Sequence, residues 1–341
     1  MPDYLGNEFF SCLDELSEEF LLKGYSEDKI KKHFTEEKLS KSIGEITDLV
    51  YDKEFSFYKD KMYEIVMEEQ AKTKRFLGHN EEIWGKCFAA SHSMYVLATE
   101  FGQLFCDFVN EKFDAGLFTK NRYIFLVLRH IHGRACQEFL EILYLLRLGF
   151  ADCAFSRWRS LFELSCLSFF ISKQPEIIAK QYYEQSLDDS VSQSAKRSYS
   201  WTSGAVDKNG NSIRITSFRA IQDFVYDDSN CKEVWLSQYN LANAVTHGSP
   251  EGTFGRLGSA ESDEVIIVGH TDYGFAPPAE NAAISLNMVT SIFLTTYPHM
   301  DSLANIRVLG KYVQLIQEMY HNVTVKFFDK ANNIDGEDFD E

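Results

Sequence analysis

Two polar segments stand out in this 341-residue chain because most of their neighbours are apolar. The first is Arg157-Trp-Arg-Ser-Leu-Phe-Glu163, and the second is Asn240-Leu-Ala-Asn-Ala-Val-Thr-His-Gly-Ser249. Charged side chains are rarely buried without a partner. Arg159 and Glu163 are four residues apart, so a helix places them on one face within reach of each other. We therefore expect the fold to bring the two segments together as one candidate site.

His247 is the group of the second segment that can exchange a proton near neutral pH. It precedes Gly248, which predicts a helix C-terminus, where the helix dipole favours the protonated imidazole. An imidazole can exchange a proton with a ribose hydroxyl, and a guanidinium can hold a phosphate through two hydrogen bonds. The candidate catalytic residues are therefore His247, Arg159 and Glu163. The structural alternative stays open, with a capping histidine and an Arg–Glu pair that orients one helix.

A second polar patch, Arg129-His-Ile-His-Gly-Arg134, places His130 and Arg134 on one helical face. Its two histidines are two residues apart and do not converge on a metal, so we expect neither a metal nor a cofactor. Arg157 projects roughly opposite Arg159 and is predicted to meet a different partner. The candidate substrate-binding residues are Arg157, Arg134, Asn243 and Tyr239. The chain lacks the phosphate-loop, dinucleotide-binding, serine-hydrolase and zinc-protease motifs, which argues against those enzyme classes.

The elements that must position these residues are predicted to be helices. Only 6 of the 341 residues are Pro, and 45% are hydrophobic, which favours an all-α multi-helix bundle with a sizeable core. One β-branched run near residue 266 predicts a small β-hairpin insert near 256–276, and a Ser- and Gly-rich stretch predicts a loop at 190–215. The helical periodicity predicts helices over Tyr51–Phe76, Glu82–Phe113, Asn121–Leu148, Cys153–Ser172, Cys231–Thr246, Pro278–Tyr297 and Met300–Tyr320.

The predicted domains are an N-terminal helical region at 1–115, a helical domain at 116–328 and a disordered acidic tail at 329–341. The net charge of −17 argues against a general nucleic-acid coat protein. The charge is uneven, because residues 1–72 hold 10 basic and 18 acidic residues, whereas residues 120–225 hold 14 basic and 10 acidic ones. The middle of the chain can therefore hold a local polyanion site, and the acidic N-terminal region is a candidate surface for a protein partner.

The sequence predicts a cytoplasmic protein. No apolar run has the length of a membrane span, and the N-terminus lacks the basic and apolar regions of a secretory signal. The seven cysteines are scattered, most of them among apolar neighbours, which is typical of reduced thiols. We therefore expect no membrane association.

The two polar segments resemble those of a bacterial helical domain family of unknown function. That family carries an Arg-x-x-x-Glu helix, as in Arg159-Ser-Leu-Phe-Glu163, and a later Tyr-x-x-x-Ser-x-x-x-His-Gly/Pro-Ser segment, as in Tyr239 to Ser249. The family Ser is replaced here by Asn243 or Ala242, depending on the alignment. The family's helical core is similar to the HEPN superfamily, and the resemblance covers roughly residues 121–320. It implies a HEPN-like C-terminal core.

The resemblance also implies a function. HEPN relatives are often metal-independent ribonucleases or nucleotide-binding modules of antiphage or toxin–antitoxin systems, commonly homodimers with an active site across the interface. Their signature places an Arg four to six residues before the His, but the window before His247 holds none. The guanidinium would therefore come from Arg159, Arg157 or Arg134. The alternative is a non-enzymatic helical sensor or scaffold that binds a protein partner or a nucleotide.

Overall fold

The computed structural model of the chain describes residues 4–187, 199–226, 232–246, 250–255, 257 and 269–328. The predicted all-α class is confirmed, because these residues form helices joined by turns, and an isolated bridge between Val206 and Ser212 is the only β pairing among them. The helices are α1 (Tyr4–Leu22), α2 (Glu27–His33), α3 (Glu36–Asp114), α4 (Arg122–Arg147), α5 (Ala151–Ser172), α6 (Glu176–Leu187), α7 (Phe218–Tyr226), α8 (Lys232–Thr246), α9 (Pro250–Phe254), α10 (Ala276–Leu294) and α11 (Met300–Phe327).

The chain divides into two compact units, Met1–Lys72 and Thr73–Glu341. In the first unit, the ring of Phe20 packs edge-on against Tyr25 and Phe34. The sequence-based boundary at 115/116 differs from this division. The reason is that the C-terminal part of α3 supplies fully buried side chains, including Trp84 and Phe105, to the core of the second unit.

The helix α3 also differs from the sequence prediction, which places two helices at Tyr51–Phe76 and Glu82–Phe113. The helix is continuous between them. Gly78 costs about 1 kcal/mol in a helix interior, which is too little to end a helix whose later turns are buried. The side chain of Asn80 compensates by donating 2.8 Å and 3.3 Å hydrogen bonds to the carbonyl oxygens of Arg147 and Leu146 at the end of α4.

The core of the second unit surrounds α5, which packs against α4, α7, α8 and α10. Its Trp158 is fully buried and donates a 3.0 Å hydrogen bond from Nε1 to Oγ of Ser285 in α10. The indole of Trp84 packs against the rings of Phe275 and Tyr320. A helix that is apolar nearly all round is central in its bundle. The apolar composition of α5 therefore accounts for its place at the centre of the bundle, with the other helices packed around it.

The turn between α4 and α5 requires glycine. Gly149 has φ +77°, and a Cβ at this position would lie 2.6 Å from the Phe76 ring and 2.8 Å from the carbonyl oxygen of Thr271. The backbone N–H of Thr271 donates a 3.0 Å hydrogen bond to the Gly149 carbonyl. Close backbone approach at positive φ therefore fixes where α5 begins.

Several sequence predictions fall wholly or partly outside the described residues. The acidic tail at 329–341 lies outside them, as do residues 256 and 258–268 of the predicted hairpin, including its β-branched run. The described part of the 190–215 loop, 199–215, contains a 3-10 turn at Ser200–Thr202 and the Val206–Ser212 bridge. None of the helices in the described part of the chain has the length and apolar composition that a bilayer crossing requires.

Candidate functional site

Helices α5 and α8 meet through three pairs of polar side chains, which we call the polar ladder. The phenol of Tyr239 donates a 2.7 Å hydrogen bond to Oε1 of Glu163. One turn further along, Nη1 of Arg159 donates a 2.8 Å hydrogen bond to Oδ1 of Asn243. The hydroxyls of Ser156 and Thr246 form the third pair, 2.9 Å apart. Because the positions rise on α8 as they fall on α5, the two helices run antiparallel.

The charged pair of the ladder is Arg159 and Glu163, whose Nε and Oε1 atoms lie 3.4 Å apart. Oε1 of Glu163 thus faces both the guanidinium and the phenol of Tyr239. Burial raises the pKa of Tyr239, and the hydrogen bond to the Glu163 carboxylate raises it further. The phenol therefore stays neutral and acts as a donor. Nη2 of Arg159 has no partner among the described residues, so this nitrogen is available to a ligand.

A cavity of about 560 Å³, the α5–α8 cavity, opens beside the ladder. Arg157 and Arg159 both line it. Hydroxyl, thiol and carboxyl groups complete its polar lining. These come from Asp152, Cys153, Ser156, Ser160 and Thr246. Arginines beside hydroxyl donors are the side chains that hold phosphate oxygens.

Arg157 meets a different partner from Arg159, as the helical spacing predicts. Its Nε lies 2.5 Å from Oε2 of Glu141, and its Nη2 lies 3.6 Å from Oε1 of Glu138. Glu138 is buried in α4, and its Oε1 also accepts a 3.0 Å hydrogen bond from Nε of Arg134. A buried carboxylate therefore stands between two arginines and fixes the position of both.

Arg134 does not line the α5–α8 cavity. It lines a separate cavity of about 300 Å³ between α4 and α6, the α4–α6 cavity, together with His130. The neighbouring His132 is buried, and its Nε2 lies 3.1 Å from the carbonyl oxygen of Ala98 in α3. Burial lowers the pKa of His132 to about 4, so the ring is neutral at pH 7. The polar patch of α4 is therefore divided: His130 and Arg134 line a cavity, whereas His132 is buried against α3.

The structure brings four of the seven predicted site residues into direct contact: Arg159, Glu163, Tyr239 and Asn243. Arg157 shares their cavity, whereas Arg134 does not. His247 follows Thr246 in the sequence and lies outside the described residues. Its role as the proton-exchanging group remains a prediction.

Sequence reasoning missed the third rung of the ladder and the buried Glu138. Ser156 and Thr246 carry a detectable signal, because each extends its helix's polar face by one turn: 156, 159 and 163 on α5, and 239, 243 and 246 on α8. Glu138 lies four residues after Arg134, a spacing that predicts a pair. The sequence does not reveal that a third group, Arg157, meets the same carboxylate.

The described residues contain no cluster of three or more His, Cys, Asp or Glu side chains arranged to hold a metal ion. Five described cysteines are free thiols, and burial raises the pKa of four of them, Cys87, Cys106, Cys136 and Cys166. The chemistry that the described part of the site offers is therefore anion binding by guanidinium groups and hydrogen bonding by hydroxyls.

Comparison with known families gives a match over part of the chain. Residues 125–197 match the model of a family of unknown function (DUF5677). The matched stretch covers most of α4, all of α5 and α6, and therefore Arg134, Arg157, Arg159 and Glu163. No curated protein and no solved structure gives a significant match. The match supports an uncharacterised helical domain family for this part of the chain.

Proposed function

We propose that the chain is a HEPN-like effector that acts on RNA or nucleotides, as a metal-independent ribonuclease of an antiphage or toxin system. The observation that carries the proposal is the polar ladder. It holds Arg159 of the central helix against the last turns of α8, and the residue after Thr246 is His247. The missing Arg of the HEPN signature is then supplied by α5 rather than by the helix that carries the histidine.

The arrangement of Arg159 suits a phosphodiester. Its Nε and Nη1 are held by Glu163 and Asn243, so the guanidinium plane is fixed while Nη2 stays free of partners among the described residues. A fixed fork loses little entropy when it binds a phosphate and supplies charge-assisted hydrogen bonds. Glu163 and Asn243 therefore act as positioning residues, and Arg159 contacts the substrate.

The proposed reaction needs one proton-exchanging group and one anion holder. The imidazole of His247 takes the proton of the ribose 2′-hydroxyl, and the 2′-oxygen attacks the phosphorus. The bond from phosphorus to the 5′-oxygen breaks, and the leaving oxygen takes the proton back from the His247 imidazolium. The product is a 2′,3′-cyclic phosphate. Arg159 stabilises the negative charge that develops on the phosphoryl oxygens.

The test is RNA cleavage in EDTA by the purified protein and three variants. We expect His247→Ala and Arg159→Gln each to lower the rate at least about a hundredfold, the range that one acid–base or oxyanion group supplies. The matched control is Arg219→Gln, because Arg219 pairs with Asp223 in α7 at the same i,i+4 spacing, 3.3 Å apart. Equal cleavage by all four proteins would refute the proposal.

The proposal includes a homodimer, since HEPN active sites commonly cross a subunit interface. A size-exclusion and light-scattering measurement gives the mass of the active species. A strictly monomeric protein that cleaves RNA at full rate would contradict the dimeric form of the proposal and keep the catalytic one.

The second candidate function is a non-enzymatic sensor or scaffold that binds a protein partner through the acidic N-terminal region. It is favoured by a run of large apolar side chains exposed on α3 within the first unit. They are Tyr51, Phe55, Phe57, Tyr58, Met62, Tyr63, Ile65, Val66 and Met67. Monomers rarely expose so many contiguous apolar groups without a binding role.

This second function predicts that substitutions on α3 and on α5 have different effects on activity. A Phe55→Ser, Met62→Ser protein should lose cellular activity while Arg159→Gln keeps it. The reverse result would favour the effector acting on RNA.

A further inference from the structure

The α4–α6 cavity is a second site, separate from the polar ladder. Its wall from α4 consists of Val127, His130, Ile131 and Arg134, and α5 contributes Leu164. The wall from α6 consists of Tyr182, Tyr183 and Ser186. At about 300 Å³ it lies at the small end of the range for ligand pockets, so it suits one small molecule rather than a chain of nucleotides.

The cation of this cavity is held in place from behind. Nε of Arg134 donates a 3.0 Å hydrogen bond to Oε1 of the buried Glu138. The side chain of Arg134 is nevertheless 66% exposed, and its two terminal nitrogens have no partner among the described residues. A guanidinium fixed through Nε and open at Nη1 and Nη2 presents the edge that binds a planar anion through two hydrogen bonds.

The rest of the cavity is mainly apolar or aromatic, and His130 and Ser186 are its other polar side chains. Val127, Ile131 and Leu164 are aliphatic, and the two tyrosines are partly buried, so their rings offer flat surfaces. Burial raises the pKa of Tyr182, and the positive charge of Arg134 lowers it by a smaller amount. The pKa is therefore above its ordinary value, and the phenol stays neutral. An apolar cavity with one fixed cation favours a ligand with an apolar body and a single negative charge.

We propose that the α4–α6 cavity binds a small aromatic carboxylate. The carboxylate accepts two hydrogen bonds from Nη1 and Nη2 of Arg134, and the ring packs against Tyr182, Tyr183 and the aliphatic side chains. A phosphate dianion fits less well, since Arg134 is the only Lys or Arg among the lining residues. The site does not depend on RNA cleavage, so it can be tested whether or not the chain is a ribonuclease.

Isothermal titration with naphthalene-2-carboxylate is the direct test, and the matched ligand control is naphthalene-2-carboxamide, which has the same shape without the charge. We expect one site per chain, with the amide at least about tenfold weaker because it forfeits the charge-assisted bonds. Arg134→Gln should weaken the carboxylate at least about tenfold as well. Arg129→Gln, on the same helix and beside another cavity, should leave the affinity unchanged.

Ser186→Glu provides a second variant, because Ser186 is exposed and lines the cavity, so the added charge repels the ligand without disturbing the core. No binding up to the solubility limit would overturn the proposal. Equal binding of carboxylate and amide, or loss in Arg159→Gln rather than Arg134→Gln, would also overturn it. AMP that binds more tightly than the carboxylate, with the same dependence on Arg134, would replace the assignment with a nucleotide site.

Discussion

Two groups of polar side chains lie within the helical packing of the second unit, and they differ in how far water reaches them. In α4, His132 is 4% exposed and Glu138 is 1% exposed. In the polar ladder, the side chains of Arg159 and Glu163 are 29% and 36% exposed. A buried polar group is committed to its protein partners, because losing them strands it away from water. A half-exposed group can exchange a partner for a ligand, so we expect the α4 group to control stability and the ladder to control function.

The largest expected effect comes from stranding Glu138. Arg134→Gln and Arg157→Gln each leave one arginine beside the carboxylate, so each should cost about 1 kcal/mol of unfolding free energy. The double variant leaves the buried charge without either arginine and should cost about 3–5 kcal/mol. Urea unfolding of the parent, the two single variants and the double variant gives the coupling free energy between Arg134 and Arg157.

The control for this cycle is the same pair of substitutions in a Glu138→Gln background. The neutral amide needs no counter-charge, so the coupling should vanish. Coupling that persists without the carboxylate would mean that Arg134 and Arg157 interact through another group.

A second effect depends on pH. His132 has a folded pKa of about 4 against an ordinary value of 6.5, so between these values the unfolded chain binds a proton that the folded one does not. Stability should therefore fall as the pH drops from about 6.5 to about 4, by about 3 kcal/mol in all. His132→Gln should flatten this part of the stability curve. If the unfolding free energy of His132→Gln falls with pH as steeply as that of the parent, another group causes the acid sensitivity.

The packing over His132 predicts a third effect. A Cβ added at Gly102 in α3 would lie 2.4 Å from Nε2 of His132, so Gly102→Ala must displace a buried ring and should cost about 1–3 kcal/mol. Gly133 in α4 has open space around it, and Gly133→Ala should stabilise the helix by about 0.5–1 kcal/mol. Thermal unfolding of the two alanine variants should shift in opposite directions. A stable Gly102→Ala protein would show that the ring can move.

The smallest effect is expected in the ladder itself. Tyr239→Phe removes one hydrogen bond to a half-exposed carboxylate and should cost about 1 kcal/mol. Its RNA cleavage should fall further than this stability loss explains, because Glu163 then holds Arg159 less firmly. If Tyr239→Phe lowers the unfolding free energy by several kcal/mol, the ladder controls stability in the same way as the buried residues of α4.

The sequence predicts the helices well where apolar spacing and stop signals agree. The predicted Asn121–Leu148 helix is observed as Arg122–Arg147, and Cys231–Thr246 as Lys232–Thr246. The ladder is predicted in part for the same reason, since Arg159 and Glu163 share a helical face by spacing alone. Their partners on α8 are predictable because polar residues are conspicuous in an apolar segment.

What sequence reasoning missed depends on tertiary contact. The continuity of α3 follows from packing around residues 78–84, which outweighs the helix-breaking tendency of Gly78. The separation of Arg134 from Arg159 depends on which neighbours α4 and α5 meet. Glu138 is one of several acidic residues on an amphipathic helix, and only the packing of α5 against α4 makes it the shared partner of two arginines.

The most direct test of the central claim, that the half-exposed ladder is the place where RNA binds, uses an uncleavable 2′-O-methyl RNA. Its affinity is measured by fluorescence anisotropy for the parent, Arg159→Gln and Arg219→Gln, alongside urea unfolding of each. We predict at least about tenfold weaker binding for Arg159→Gln alone, with all three unfolding free energies within about 1 kcal/mol. Equal affinity for RNA in all three proteins would contradict the account.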